Sequence, residues 1–289
     1  MKTRGISCLL LGVCFTGIFI FSGCKKENNN DANLPTLTFS AQDDITVSNL
    51  LEVTFSDVEE ALVDVSTLKS TTIDCKKVNY IGLDSTGFFQ VYNIDFGDSC
   101  IRSDGLLKSG TIIVKTVDAN TYWNSKGLKR IITFNNFKIE GISIQGVDNL
   151  FYNGKDSLGR PLYTEILDTA IIRMTDGTKI SFSYFRNKIW VAGYDDQATR
   201  MNDIFYVSGL GEGVNRKGNT FFDSIPANNP LFWLSPTICR WVQSGKEYII
   251  YQKDTAFIDY FGNRNCTIGT TGANLILKNG SKNPLRIYP

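Results

Sequence analysis

Apolar side chains recur at every second position through much of this chain, which is the period of a β-strand that buries one face. Ala170, Ile172 and Met174 alternate with polar residues, and the alternation resumes over 180–184 after Asp176-Gly177. An Asp-Gly pair between two such runs is a strong hairpin signal, because Gly readily adopts the positive φ of a tight turn. Further Asp-Gly or Asn-Gly pairs stand at 104–105, 153–154 and 279–280. The pattern predicts an all-β fold, either a twisted antiparallel sheet or a sandwich.

Only residues 48–67 show a helical pattern, with Ser56 as a candidate N-cap and Glu59 as its capping-box partner. This predicts one short N-terminal helix. The phase of the apolar alternation changes at Gly141, and we expect a β-bulge there.

The N-terminus is a candidate export signal. Lys2 and Arg4 precede an apolar run over 6–21, which is shorter than the roughly 20 residues of a membrane-spanning helix but suits a signal peptide. The run closes with Ser22-Gly23-Cys24, which resembles the lipobox of bacterial lipoproteins. That resemblance implies a signal peptide over 1–23 and a lipid on the Cys24 thiol. An ordinary secretory signal that happens to end near a cysteine is the alternative.

Residues 24–44 begin with a polar stretch after Cys24, and we expect them to form a flexible tether to a β-rich domain at 45–289. The expected location is the outer membrane, with the domain lipid-anchored at the periplasmic face or the cell surface. Lys25-Lys26-Glu27 loosely resembles the surface-export signal of Bacteroidota lipoproteins, and a solvated spacer is the alternative.

Four cysteines follow the tether, and their spacing indicates their partners. Cys75 stands 19 residues before Ile94, and Cys239 stands 19 residues before Ile258; in each case another cysteine, Cys100 or Cys266, follows shortly. The repeated spacing predicts an internal duplication, with related halves at about 70–150 and 165–289. It also predicts disulfides within each block, Cys75 with Cys100 and Cys239 with Cys266, whereas crossed pairs would require the two blocks to meet.

Several of the same segments carry a family resemblance. The chain resembles a set of Bacteroidota cell-envelope lipoproteins in Ile94-Asp-Phe-Gly97, Cys100, Asp104-Gly105, Lys108-Ser-Gly-Thr-Ile-Ile113, Ser208-Gly209, Cys239-Arg-Trp241 and Ile258-Asp-Tyr260. Lys108 stands where the set often has Arg. The resemblance implies a β-rich envelope lipoprotein and brings no activity, cofactor or catalytic residue.

Composition excludes several kinds of chemistry. The chain has no histidine, which excludes Ser-His-Asp and Cys-His nucleophiles as well as histidine-ligated metals. Its charge is close to balanced, with 30 basic and 29 acidic residues. The chain therefore lacks the net positive charge that is typical of nucleic-acid-binding proteins. We expect no cofactor.

Two functional readings remain. The first is a noncatalytic binding or assembly component, with a glycan or protein ligand stacking on exposed aromatic rings; the candidate rings are Trp123, Trp190, Trp233 and Trp241. Core packing is the alternative role for each of these rings.

The second reading is a carboxylate-dependent glycan hydrolase that uses Asp95 and Asp259, which the duplication could bring together. Turn formation before each cysteine is the alternative role for these two residues. A calcium role for Asp195, Asp196 and Asp203 is a weaker hypothesis. We expect binding rather than catalysis.

Overall fold

A computed structural model describes residues 34–64, 70–73, 75–102, 105–117, 125–195, 203–234, 242–261 and 272–286. Residues 33–289 pack as one unit.

The described chain begins with a 31-residue helix, α1 (Leu34–Asp64). Asp43, Asp44, Ile45, Thr46 and Val47 are all buried, with at most 1% of any side chain exposed. Successive residues of a helix point about 100° apart, so five consecutive buried residues mean that α1 is enclosed on every side around residues 43–47.

The enclosed helix corrects two predicted boundaries. α1 begins at Leu34 rather than at Ser48, and Ser56 lies inside it rather than at its N-cap. The tether predicted to reach residue 44 is wrong from Leu34 onward, since Leu37 and Ala41 are helical and buried. Within the described part of the chain, no helix has the length and apolar character needed to cross a membrane.

In the described part of the chain, sixteen strands follow in one antiparallel sheet. They are β1 (Ser70–Ile73), β2 (Lys76–Leu83), β3 (Gln90–Asp95), β4 (Cys100–Ile101), β5 (Leu107–Thr116), β6 (Gly127–Ile139), β7 (Ile142–Lys155), β8 (Pro161–Arg173), β9 (Lys179–Ala192), β10 (Ile204–Val214), β11 (Thr220–Ile225), β12 (Leu231–Leu234), β13 (Val242–Tyr251), β14 (Asp254–Phe261), β15 (Gly272–Ile276) and β16 (Lys282–Leu285). Nearly every strand pairs with its neighbours in sequence, while the short β4 and β12 lie beside the main path. The predicted all-β fold with an N-terminal helix is confirmed, and its form is a single sheet.

Both ends of this sheet contact the same helix. Lys76, at the start of β2, bonds Glu60 of α1, and the backbone N–H of Arg286, just after β16, donates to Gln42 of α1 at 2.9 Å. The sheet therefore curls around α1, and its concave face holds the apolar core. Core residues alternate along each strand, as Ile180 and Phe182 do on β9.

The turn signals differ in outcome: Asn279-Gly280 lies in the turn between β15 and β16, whereas the turn predicted at Asn153-Gly154 is wrong, because that pair lies inside β7. Asp176-Gly177 lies in the predicted hairpin turn, between β8 and β9. The bulge predicted at Gly141 is wrong, because Glu140 and Gly141 form the tight turn between β6 and β7, both with positive φ. The apolar phase changes there because the chain reverses direction.

The repeated cysteine blocks form different hairpins. Val78 of β2 lies opposite Ile94, but Ile258 of β14 lies opposite Glu247 rather than Val242. The first hairpin closes through residues 84–89 and the second through 252–253. The two cysteine-to-isoleucine spacings are therefore equal although the strands and turns between those residues differ in length. The division of the chain into two related halves stays a prediction.

Candidate functional site

α1 is an acidic helix inside a sheet whose concave face carries basic residues. Residues 34–64 contain seven acidic and no basic residues. On β9, Arg186 and Lys188 occupy the same buried phase as Tyr184 and Trp190, so both cations face α1. A buried charge is tolerated only when it is paired. Most of the pairs form three clusters along the helix, and Arg130–Glu59 and Arg216–Asp43 are two further pairs.

The first cluster lies near the C-terminal end of α1. Lys108 Nζ lies 2.6 Å from the Asp57 carboxylate, and Lys76 Nζ lies 2.8 Å from that of Glu60. Arg102 bonds Glu60 and lies 3.7 Å from Asp57. Three strand or loop cations therefore meet two helix carboxylates.

The second cluster surrounds Lys188. Its Nζ lies 2.7 Å from Glu52 of α1 and 2.6 Å from Glu165 of β8. Burial lowers the pKa of Lys188, but the charges of Glu165 and Glu52 outweigh burial and raise it. Burial and the neighbouring Glu165 raise the pKa of Asp148 well above its ordinary value, which favours the protonated carboxyl.

The third cluster, near the N-terminal half of α1, brings three carboxylates together. Asp44 of α1, Asp223 of β11 and Glu247 of β13 are all buried, with ligand oxygens within 4.8 Å of one another. Arg186 donates to Asp223 at 2.9 Å and to Glu247 at 3.1 Å, and the Tyr260 hydroxyl donates to Glu247 at 2.7 Å. We call these five residues the carboxylate cluster.

The charges of the carboxylate cluster are unevenly compensated. Burial, then the charges of Glu247 and Asp223, raise the pKa of Asp44 well above its ordinary value. Burial also raises the pKa of Asp223, to about 7, even though Arg186 lowers it. Three carboxylates share one guanidinium, so the cluster requires further positive charge or protons.

A small cleft opens between the second cluster and the adjoining strands. Its walls include Glu52, Lys188, Phe205, Trp233 and Leu234, and it has room for about one water molecule. It is too small for a sugar ring.

The tryptophans predicted to stack on a ligand belong to the interior where they are described. Trp190 and Trp233 are each 4% exposed. Trp190 stacks on Phe205 with ring centroids 5.5 Å apart, and Trp233 lies in the main apolar core. The prediction of exposed stacking faces is wrong for these two, because both face α1. Trp123 and Trp241 lie outside the described residues.

Two of the five cysteines singled out in the sequence lie among the described residues, and three do not. Cys75 and Cys100 form the predicted disulfide, with Cα atoms 5.5 Å apart. Cys24, Cys239 and Cys266 lie outside the described residues, and their lipidation or pairing stays a prediction.

The aspartates proposed for hydrolysis lie on the convex face of the sheet. Asp95 accepts a hydrogen bond from the backbone N–H of Gly97 at 2.9 Å, which is the turn role weighed against catalysis. Asp259 is half-buried opposite Lys246 and Asn274, on a strand far from Asp95 in the sheet order.

The acids proposed for calcium do not share one environment. Asp195 is exposed and Asp203 is buried, while Asp196 lies outside the described residues.

The convex face carries a row of side chains in direct cross-strand register that are apolar or aromatic except for Ser224 of β11. Phe185 lies opposite Leu210, which is followed across the sheet by Ser224, Tyr248 and Phe257. Leu210 is 63% exposed and Phe185 is 50% exposed. Phe222 lies diagonally beside Leu210 and is also exposed. We call Phe185, Leu210, Phe222, Tyr248 and Phe257 the outer patch.

Sequence reasoning missed both the carboxylate cluster and the outer patch. The signal for the clusters was present, because Arg186 and Lys188 interrupt an apolar phase that runs from Phe182 to Trp190. The outer patch depends on which residues pair across strands, and register is not visible in one strand alone.

Comparisons with protein-family models, with curated proteins and with solved structures find no match to this chain. The function is therefore inferred from the site itself.

Proposed function

We propose that this chain is a lipid-anchored component of the bacterial cell envelope that binds a protein partner through its outer patch and catalyses no reaction. The observation that carries the binding role is the row of exposed apolar side chains around Phe185 and Leu210. Monomeric soluble proteins rarely expose contiguous apolar patches larger than a few hundred Å², and larger patches mark interaction sites.

The dimensions of the outer patch suit a protein partner. Strands β9 to β14 along this row are about 4.8 Å apart, so the row is about 20 Å long. A standard protein interface covers about 800 Å² on each side, or a square of about 28 Å, so the patch could form its apolar centre. Leu210, the most exposed member, offers an aliphatic surface rather than the flat ring and polar groups that hold a sugar.

The anchor rests on the lipobox-like end of the apolar run at Cys24. α1 begins at Leu34, so ten residues join the proposed lipid to the folded body. Even fully extended, they reach about 35 Å, which keeps the body close to the membrane.

A glycan hydrolase is less well supported. Among the described carboxylates, the pKa is raised most for Asp44, Asp148 and Asp223, each of which is at least 95% buried, and the adjoining cleft is too small for a sugar. General acid catalysis needs such a group within hydrogen-bonding reach of its substrate.

A photo-activatable cross-linker placed at residue 210 in living cells tests the binding role. We expect a discrete protein adduct that is lost in Phe185→Lys and is not formed from Lys138, an exposed position on β6 outside the outer patch. Mass spectrometry of the adduct separates a second copy from another protein. Equal adducts from positions 210 and 138, or no adduct at 210, would contradict the proposal.

The anchor is tested separately with a palmitate analogue. We expect labelling of the wild type and none of Cys24→Ala. Equal labelling of both proteins would contradict the proposed lipoprotein.

A further inference from the structure

Three carboxylates from three different elements converge in the carboxylate cluster. Asp44 comes from α1, Asp223 from β11 and Glu247 from β13, and at most 1% of any of them is exposed. Their oxygens lie within 4.8 Å of one another. Arg186 bonds two of the three carboxylates, donating to Oδ1 of Asp223 and to Oε1 of Glu247.

Three oxygens of the cluster accept no hydrogen bond from an N–H or O–H group of the described residues. They are both carboxylate oxygens of Asp44 and Oδ2 of Asp223. Asp44 faces Glu247 carboxyl to carboxyl, an arrangement that needs either a proton or a cation between the two groups. Buried polar atoms without partners call for an explanation, and an ion is one.

The neighbouring strand leaves room for this arrangement. Gly211 of β10 lies directly opposite Asp223, and a Cβ atom at Gly211 would come 1.9 Å from Asp223 Oδ2. A side chain at residue 211 would therefore displace the oxygen that is free to bind a ligand.

We propose that Asp44, Asp223 and Glu247 bind a divalent cation, with Ca²⁺ as the best fit. Three carboxylates and one guanidinium leave two negative charges, which one divalent ion neutralises. Ca²⁺ binds oxygen at about 2.3–2.6 Å, so ligand oxygens on opposite sides lie up to about 5 Å apart, whereas Mg²⁺ holds them within about 4.2 Å. Oxygens within 4.8 Å of one another can therefore all reach one Ca²⁺ ion, and Ca²⁺ does not need the near-ideal octahedral geometry that Mg²⁺ demands.

The test uses purified full-length protein in detergent, stripped with EDTA and titrated calorimetrically with CaCl₂ at pH 7.5. We expect one Ca²⁺ per chain and weaker binding of MgCl₂. Asp44→Asn should weaken Ca²⁺ binding at least about tenfold, because an amide lacks the charge that the ion neutralises. Glu52→Gln is the matched control, since Glu52 lies on the same helix but bonds Lys188, and it should leave the affinity unchanged.

A second measurement does not depend on whether Asp44→Asn folds. Tb³⁺ replaces Ca²⁺ in oxygen sites and emits when a nearby aromatic ring is excited, and Tyr260 bonds Glu247 directly. We expect Ca²⁺-displaceable Tb³⁺ emission that falls at least by half in Tyr260→Phe. No saturable Ca²⁺ binding up to about 10 mM, above the affinities of extracellular calcium modules, would overturn the proposal. Unchanged affinity in a folded Asp44→Asn, or unchanged emission in Tyr260→Phe, would also overturn it.

Discussion

Asp57→Ala removes the carboxylate that lies 2.6 Å from Lys108 Nζ, in a cluster where both side chains are at most 5% exposed. Removing one partner of a buried ion pair typically costs about 3–5 kcal/mol, because the other charge remains buried without its counterion. Burial itself raises the pKa of Asp57, so the ionised carboxylate is also costly to bury, and its removal recovers part of that loss. We therefore expect a net loss near the lower end, about 3 kcal/mol.

The assay is urea-induced unfolding followed by tryptophan fluorescence, with the free energy of unfolding extrapolated to water. Arg160→Ala is the control, because Arg160 and Asp156 form a more exposed pair that should contribute little to stability. A loss for Asp57→Ala as small as that of the control would refute the buried-cluster reasoning.

A double substitution separates the two costs. In Asp57→Leu with Lys108→Met, both charges are replaced by apolar groups of similar size. We expect the double variant to be more stable than Asp57→Ala, because no uncompensated lysine remains at that position. A double variant less stable than the single one would show that the pair itself is strongly stabilising.

Three further outcomes are expected. Cys75→Ser with Cys100→Ser should lower the free energy of unfolding by about 3.5 kcal/mol, the chain-entropy value for a loop with sequence separation 25. Urea titration of this variant and of the oxidised wild type measures the difference. Equal stability of the two proteins would contradict the disulfide. Burial and then Glu165 raise the pKa of Asp148 above its ordinary 3.8, so the folded state keeps its proton to a higher pH than the unfolded state does. The wild type should therefore lose stability relative to Asp148→Asn as the pH rises above about 4. Parallel curves of stability against pH for the two proteins would contradict this. Gly110→Ala should lower the free energy of unfolding by about 2 kcal/mol or more, and Gly87→Ala by about 1 kcal/mol. Both glycines have positive φ, but of the two only Gly110 lies against a neighbouring backbone. Equal losses of stability in the two variants would count against that packing.

Local patterns predicted the strands well. The turn at Asp176-Gly177 follows from the positive φ that Gly permits, and the phase of Ile180 and Phe182 identified the buried face of β9. These features depend on a few neighbouring residues, so one sequence is enough to read them.

The start of the helix could not be read in the same way. The predicted tether extended the polar composition of residues 25–31 through residue 44, yet Asp43 and Asp44 are buried. Asp43 bonds Arg216 from the turn between β10 and β11, and Asp44 belongs to the carboxylate cluster. A helix enclosed on all sides has no amphipathic stripe to detect. Its partners are far away in sequence, so the burial of its acids becomes visible only in the folded chain.

Native-state hydrogen exchange over α1 tests most directly the central claim that the sheet encloses its own helix. Amides of residues 43–58 should exchange only through global unfolding, with the same free energy as the central amides of β8 and β9. The same amides exchanging through local opening, much faster than those of β8 and β9, would mean that α1 is not enclosed, and would contradict both the buried charge clusters and the assignment of binding to the convex face.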